Sequence, residues 1–147
     1  MSTLRNPVLR TWETVLTEHS TSVRTARRLI REQLTAWNWS GDPVEDLVLI
    51  ASELVTNAVV HACQGHGEVR LSLQEFDGDC RIEVWDPRGD LQLRRPRPRR
   101  FTEGGRGIEL VRQLALDFGV IVRRGAGKRV WARVLLDPVG NLPSPGS

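Results

Sequence analysis

"ASELVTNAVVHA", residues 51–62, is the stretch on which the fold turns. The run around it is apolar on nearly every side. Val44, Leu47, Val48, Ala51, Leu54, Val55, Ala58 and Ala62 make the main stripe of a helix, and Leu49, Ile50, Val59 and Val60 fill most of the rest. Yet Glu53, Asn57 and His61 recur at every fourth position. A helix this apolar is a buried one, and burying an unpartnered carboxylate or amide costs on the order of several kcal/mol. Residues i and i+4 lie one above the other, so Glu53 and Asn57 can address a single ligand along the helix. An amide oxygen suits a hard cation such as magnesium, which keeps several waters and borrows other ligands from phosphates. A carboxylate one turn away can then orient or deprotonate a water or hydroxyl beside that phosphate. From the helix alone, the alternative stands level with this: both side chains pair with other protein groups in a structural network.

Working outward, "DPVE" starts this helix, with Asp42 as N-cap, Pro43 at the first helical position and Glu45 at the capping-box position. Upstream, Val23, Ala26, Ile30, Leu34 and Trp37 form one face of another helix, and Arg24, Arg27, Arg28 and Arg31 the other, with Ser20 to Ser22 as N-cap candidates. "VLRTWETVL", before it, has the β-branched and aromatic content of an edge strand. Downstream the period changes to two. Val69, Leu71 and Leu73 alternate with polar residues, "DGD" turns, and Cys80, Ile82 and Val84 alternate again, which makes a β-hairpin. Pro87 to Gly104 has almost no core residues, a loop length usually reserved for function. Gly105 to Gly107 open a further buried helix, "IELVRQLALDF", expected to end at Gly119. Val120 to Val122 and Val130 to Leu135 form a last hairpin around "RGAGKR". This order predicts an α+β sandwich with helices on one face of a mixed β-sheet.

A chain of 147 residues with 39% apolar content supports one domain, expected over residues 8–136, with "DPVGNLPSPGS" at 137–147 as a disordered tail. The net charge of +3 is local: "RRPRPRR" at 94–100 holds five arginines, and the remainder balances at 16 basic against 18 acidic residues. No stacking aromatics interleave with that run, so it reads as a solvated loop or one that meets a nucleotide or acidic partner, not as a nucleic-acid arm. Cys63 and Cys80 lack CxxC spacing, and no signal core or membrane-length apolar run is present, so a cytoplasmic, reduced protein is expected. "HACQGH" crowds His61, Cys63 and His66 at a helix end with no fourth ligand, and reads as a helix terminus entering a glycine turn. The tryptophans are scattered, and Trp85 and Trp131 fall on strands as core or sheet-face residues.

Two more stretches carry chemistry. In "EVWDPRGD", Asp86 follows directly on a strand, where an acceptor-only carboxylate can receive a hydrogen bond from a ligand amino group such as that of adenine; the plainer reading is an Asp-Pro turn opener. In "EGGRGIELV", glycines directly before an apolar helix let backbone N–H groups and the helix dipole cradle phosphate; the plainer reading is a glycine turn. The stretch lacks the lysine and hydroxyl residue of a P-loop and does not follow a strand as a dinucleotide fingerprint does.

Together, "ELVTNAVVHA", an aspartate after a strand, a long loop and "GGRGIELV" before a helix resemble the GHKL ATPases of the Bergerat fold, and within them the small anti-sigma-factor-like serine-protein kinases of actinobacteria. The likeness spans about Val8 to Leu136. It implies that Asn57 is the N-box asparagine that helps hold magnesium, that Glu53 is the general base, and that Asp86 reads adenine. It implies that Gly89 belongs to the first glycine box, that Gly104, Gly105, Arg106 and Gly107 form the second beside the phosphates, and that residues 87–103 occupy the place of an ATP lid. ATP and magnesium are the implied cofactors. The implied partners are a sigma factor and a STAS-domain anti-sigma-factor antagonist phosphorylated on serine, with no direct nucleic acid and no membrane, and with a homodimer allowed.

The sequence departs from that pattern in two places. The first glycine box reads "DPRGD", with Arg88 and Asp90 where glycines are expected, which hinders close backbone approach to a ligand. In "GKRVWA", Arg129 stands where relatives often carry a threonine near the adenine, so an altered base pocket is expected. A module that sequesters a partner, with nucleotide as a switching ligand, is therefore the second functional reading. A detached histidine-kinase domain is a third, and the chain lacks room for its dimerisation helix pair.

Overall fold

Residues 51–60 form the second half of a long helix laid across a sheet. The computed structural model describes residues 7–17, 19, 21–60, 67–87 and 107–136. Within them run β1 (Val8–Thr17), α1 (Thr21–Ala36), α2 (Asp42–Val60), β2 (Glu68–Phe76), β3 (Asp79–Asp86), α3 (Gly107–Leu114), β4 (Asp117–Arg123) and β5 (Gly127–Leu135). His61, Cys63, His66, residues 88–106 and the tail from 137 lie outside the described residues.

The helix ends follow local chemistry. Ser22, one residue into α1, donates from Oγ to the Thr17 carbonyl at 2.7 Å, and its own N–H donates to the His19 carbonyl at 2.9 Å. At the other end Asn38 takes φ +69°, and the Trp39 N–H reaches back to the Leu34 carbonyl at 2.9 Å. That six-to-one bond around a left-handed residue is a Schellman-type stop. It turns both Trp37 and Trp39 into the core. α2 starts after Gly41, with Asp42 and Glu45 in its first turn, where their charge suits the helix dipole.

The strands form one five-stranded sheet in the order β1-β2-β3-β5-β4. The α+β class with helices on one face stands, but the sheet is antiparallel in every hydrogen-bonded pair, not mixed. Chain direction explains this. Two helices separate β1 from β2, so the chain returns antiparallel. β3 and β4 do run the same way, joined through the single helix α3, but β5 is inserted between them and no parallel pair forms.

The alternation that identifies the β2-β3 hairpin also sets its faces. Val69, Leu71, Leu73, Ile82 and Val84 point at the helices and are at most 2% exposed, against Ile30, Leu34, Leu47, Ile50 and Leu54 of α1 and α2. Burying each such side chain contributes roughly 1.5–3 kcal/mol. The opposite face carries a layer of arginine and tryptophan. The Trp85 ring lies between the guanidiniums of Arg70 (5.3 Å) and Arg129 (4.6 Å), and Arg81 covers Trp131 at 4.7 Å.

One boundary differs from the sequence expectation. α3 stops at Leu114, and Asp117, Phe118 and Gly119 already belong to β4. The Leu116 N–H is captured by the Arg133 carbonyl at 2.7 Å, and Trp131 lies against Gly119, where a Cβ would sit 2.9 Å from its ring. The glycine is a platform for an indole, not a helix stop. Among the described residues, no helix is long and apolar enough to cross a membrane.

Candidate functional site

The antiparallel register brings one end of the sheet under the C-terminal half of α2. At that end β3 finishes at Asp86, and Lys128, the second residue of β5, is its partner across the ladder. Leu54, Asn57 and Ala58 of α2 face Val84, Asp86, Lys128 and Val130 around a narrow cleft of about 10 Å³. Four of the seven lining residues are apolar, and the other three supply a carboxamide, a carboxylate and an ammonium. A few polar groups in an apolar lining are the usual makeup of a small-molecule site, but in this conformation the cleft has room for about one water molecule.

Asn57 and Asp86 are buried, at 5% and 4% exposure. Asp86 has Lys128 as a charged neighbour. Burial lowers the Lys128 pKa from its ordinary value, and the negative charge of Asp86 opposes that shift without cancelling it. Glu53 sits one turn before Asn57 on α2, half-buried, and is not among the residues lining the cleft. Among the described residues, neither Glu53 nor Asn57 makes a side-chain hydrogen bond or ion pair. Their neighbour Ser52 is different: its hydroxyl accepts from Arg27 Nε at 3.2 Å.

The structure therefore joins Asn57 and Asp86, places Glu53 a turn away, and starts α3 at Gly107 against α2. Gly89, Gly104, Gly105 and Arg106 lie outside the described residues. So do His61, Cys63 and His66, and no group of three potential metal-ligating side chains occurs among the described residues.

Arg129 is not a base-pocket residue. It projects from the outer face, where it stacks on Trp85 and bonds Glu83 Oε2 at 2.6 Å. Side chains alternate along a strand, so the residue that reaches the cleft is its neighbour Lys128. Sequence reasoning missed Lys128, although counting back by two from the buried Val130 points to it.

The residues present suit a nucleotide. Asn57 offers an amide, Asp86 a carboxylate acceptor, and Leu54, Ala58, Val84 and Val130 apolar surface in the same lining.

Fold and cleft put the chain in the class of α+β sandwich domains with a cleft at one end of the sheet. More specifically, residues 16–134 match the histidine kinase-like ATPase domain, and the chain belongs to that family of ATP-binding domains. No curated protein matches it. Among solved structures, one, of the RsbU and RsbW domains of Rv1364c from Mycobacterium tuberculosis, contains the same fold in part of its chain, with a TM-score of 0.66 at 21% identity. The likeness covers 86% of this chain and 32% of that one, so the chain spans about a third of that protein's solved length.

Proposed function

We propose that this chain is an ATP-dependent serine-protein kinase of the anti-sigma regulatory kind, acting on a STAS-type antagonist and binding a sigma factor. The observation that carries the nucleotide part is that Asn57 of α2 and Asp86 at the end of β3, both at most 5% exposed, line one cleft together. ATP-domain family membership and the fold shared with an RsbW-containing protein support the regulatory part. In this reading Asn57 holds magnesium, Asp86 accepts from the adenine amino group, and the start of α3 at Gly107, with Gly104, Gly105 and Arg106 before it, faces the phosphates. Gly89 is the remaining glycine of the first box. Bound Mg·ATP supplies the phosphoryl group and the charge that neutralises it. Glu53 takes the proton of the acceptor serine hydroxyl, a role worth typically 10²–10⁴-fold in rate. The ATP-binding domain is residues 8–136, and the protein works in the cytoplasm.

The test has two stages. Mg·ATP at one hundred times its dissociation constant should stabilise the chain by about 2.7 kcal/mol, and Asn57→Ala should lose that shift. Labelled ATP with candidate STAS proteins should then yield phosphoserine with the wild type and none with Glu53→Ala. A second reading rests on "DPRGD", whose Arg88 and Asp90 replace glycines: a module that sequesters its partner with nucleotide as a switch. Stable partner binding in Mg·ATP without phosphoserine would select it. No thermal shift at all would remove nucleotide from both.

A further inference from the structure

Lys128 occupies an unusual place for a lysine. β5 begins at Gly127 with φ +92°, and a Cβ there would sit 2.6 Å from Pro87 Cα and against the Asp86 carbonyl. Only a glycine lets β5 start this close to the end of β3. The next residue is thereby locked into register opposite Asp86 and, by alternation, onto the helix-facing side. Lysines usually carry the ammonium out to water. Lys128 instead shares the cleft with Leu54, Asn57, Val84, Asp86 and Val130.

A carboxylate is acceptor-only. Asp86 can receive an N–H of the adenine amino group, but it has nothing to offer the adjacent ring nitrogen N1, which is itself an acceptor. An ammonium carries three donors and can serve Asp86 and a ring nitrogen together. We infer that Lys128 is a second base-reading residue, donating to adenine N1 while Asp86 accepts from the neighbouring amino group. The inference rests on the ATP reading above. The pair also sets specificity. In the same placement guanine brings an N–H toward the Lys128 donor and a carbonyl oxygen toward the Asp86 acceptor, so both contacts become repulsive.

A lysine that only neutralised Asp86 would be indifferent to one atom of the base, and this separates the two roles. Binding of Mg·ATP and of its 1-deaza analogue, which has C–H in place of N1, is measured by calorimetry on the full chain. Wild type should bind the analogue about tenfold more weakly than ATP. Lys128→Met should bind ATP about tenfold more weakly than wild type does and should no longer tell the two nucleotides apart. Equal affinity of wild type for both, or discrimination that survives in Lys128→Met, overturns the inference while leaving ATP binding intact. A wild-type chain that binds neither nucleotide overturns the ATP reading, and this inference with it.

Discussion

Two ends of the helix-covered sheet face hold buried polar groups, and they treat them in opposite ways. At the far end, Glu75 of β2 is 6% exposed and taken up by three donors: Arg10 Nε at 2.6 Å, Arg10 Nη2 at 3.0 Å and Trp39 Nε1 at 2.6 Å. Arg10 further donates to the Trp37 carbonyl at 3.2 Å and stacks on that indole at 5.3 Å. This clamp ties the edge strand β1 to β2 and to the segment between α1 and α2. At the near end, Asn57 is equally buried and has no such partner among the described residues. The contrast teaches how to read buried polarity. A group saturated by protein donors is part of the frame, whereas one that lines a cleft and meets no protein donor is available to a ligand.

The largest expected effect falls on the residue that would join the two categories. Gly127 is frame by its backbone and cleft by its position, so Gly127→Ala should cost about 3 kcal/mol or more in denaturant unfolding, from a strained positive φ and a backbone clash. It should also weaken Mg·ATP binding in whatever remains folded. Wild-type affinity in that variant would show that the β3-β5 junction does not position the cleft.

Next, Glu75→Ala leaves the Trp39 N–H and a partly exposed Arg10 without their acceptor and should lower the unfolding free energy by about 2–3 kcal/mol, with nucleotide affinity unchanged. Asn57→Ala should do the reverse. Its ligand-free stability should stay within about 1 kcal/mol of wild type while the Mg·ATP shift disappears. Equal stability losses at the two sites would erase the distinction drawn between them.

The smallest effect is a pH dependence. Burial pushes the Glu75 pKa up, but the hydrogen bonds from Arg10 and Trp39 and the charge of Arg10 together bring it below its ordinary value of 4.5. A depressed folded-state pKa means the stabilisation is fully present above about pH 4.5 and is lost as pH falls through the folded value. Melting temperatures between pH 6 and 3 should therefore decline more steeply in wild type than in Glu75→Gln. Parallel curves would mean that the clamp does not depend on the ionised carboxylate.

Most elements were legible because their signals are local. Asp42-Pro43 marks the start of α2, and the two-residue period marks β2 and β3. Alternation carried further would also have placed Glu75 inside, since it continues the inward series of Val69, Leu71 and Leu73. Its partners were not readable: Arg10 and Trp39 lie 65 and 36 residues away in sequence. The approach of Asn57 to Asp86 and Lys128 is likewise a product of strand order, which periodicity does not encode. Arg129 was assigned to the pocket from family position alone, and a one-residue step along a strand reverses the face. Gly119 deceived because a glycine after an apolar helix looks the same whether it ends the helix or makes room for Trp131. Gly89, Gly104, Gly105 and Arg106 remain readings of sequence.

The clamp at Glu75 and the floor at Asp86 are separated along the sheet by about six residues, or roughly 20 Å at about 3.3 Å per residue. At that distance, substitutions at the two ends should combine additively. The cleft end can then tolerate change, such as a different residue beside Asp86, while the scaffold keeps its margin of stability. Divergence among such domains would gather at one pole of the sheet and leave the other almost fixed.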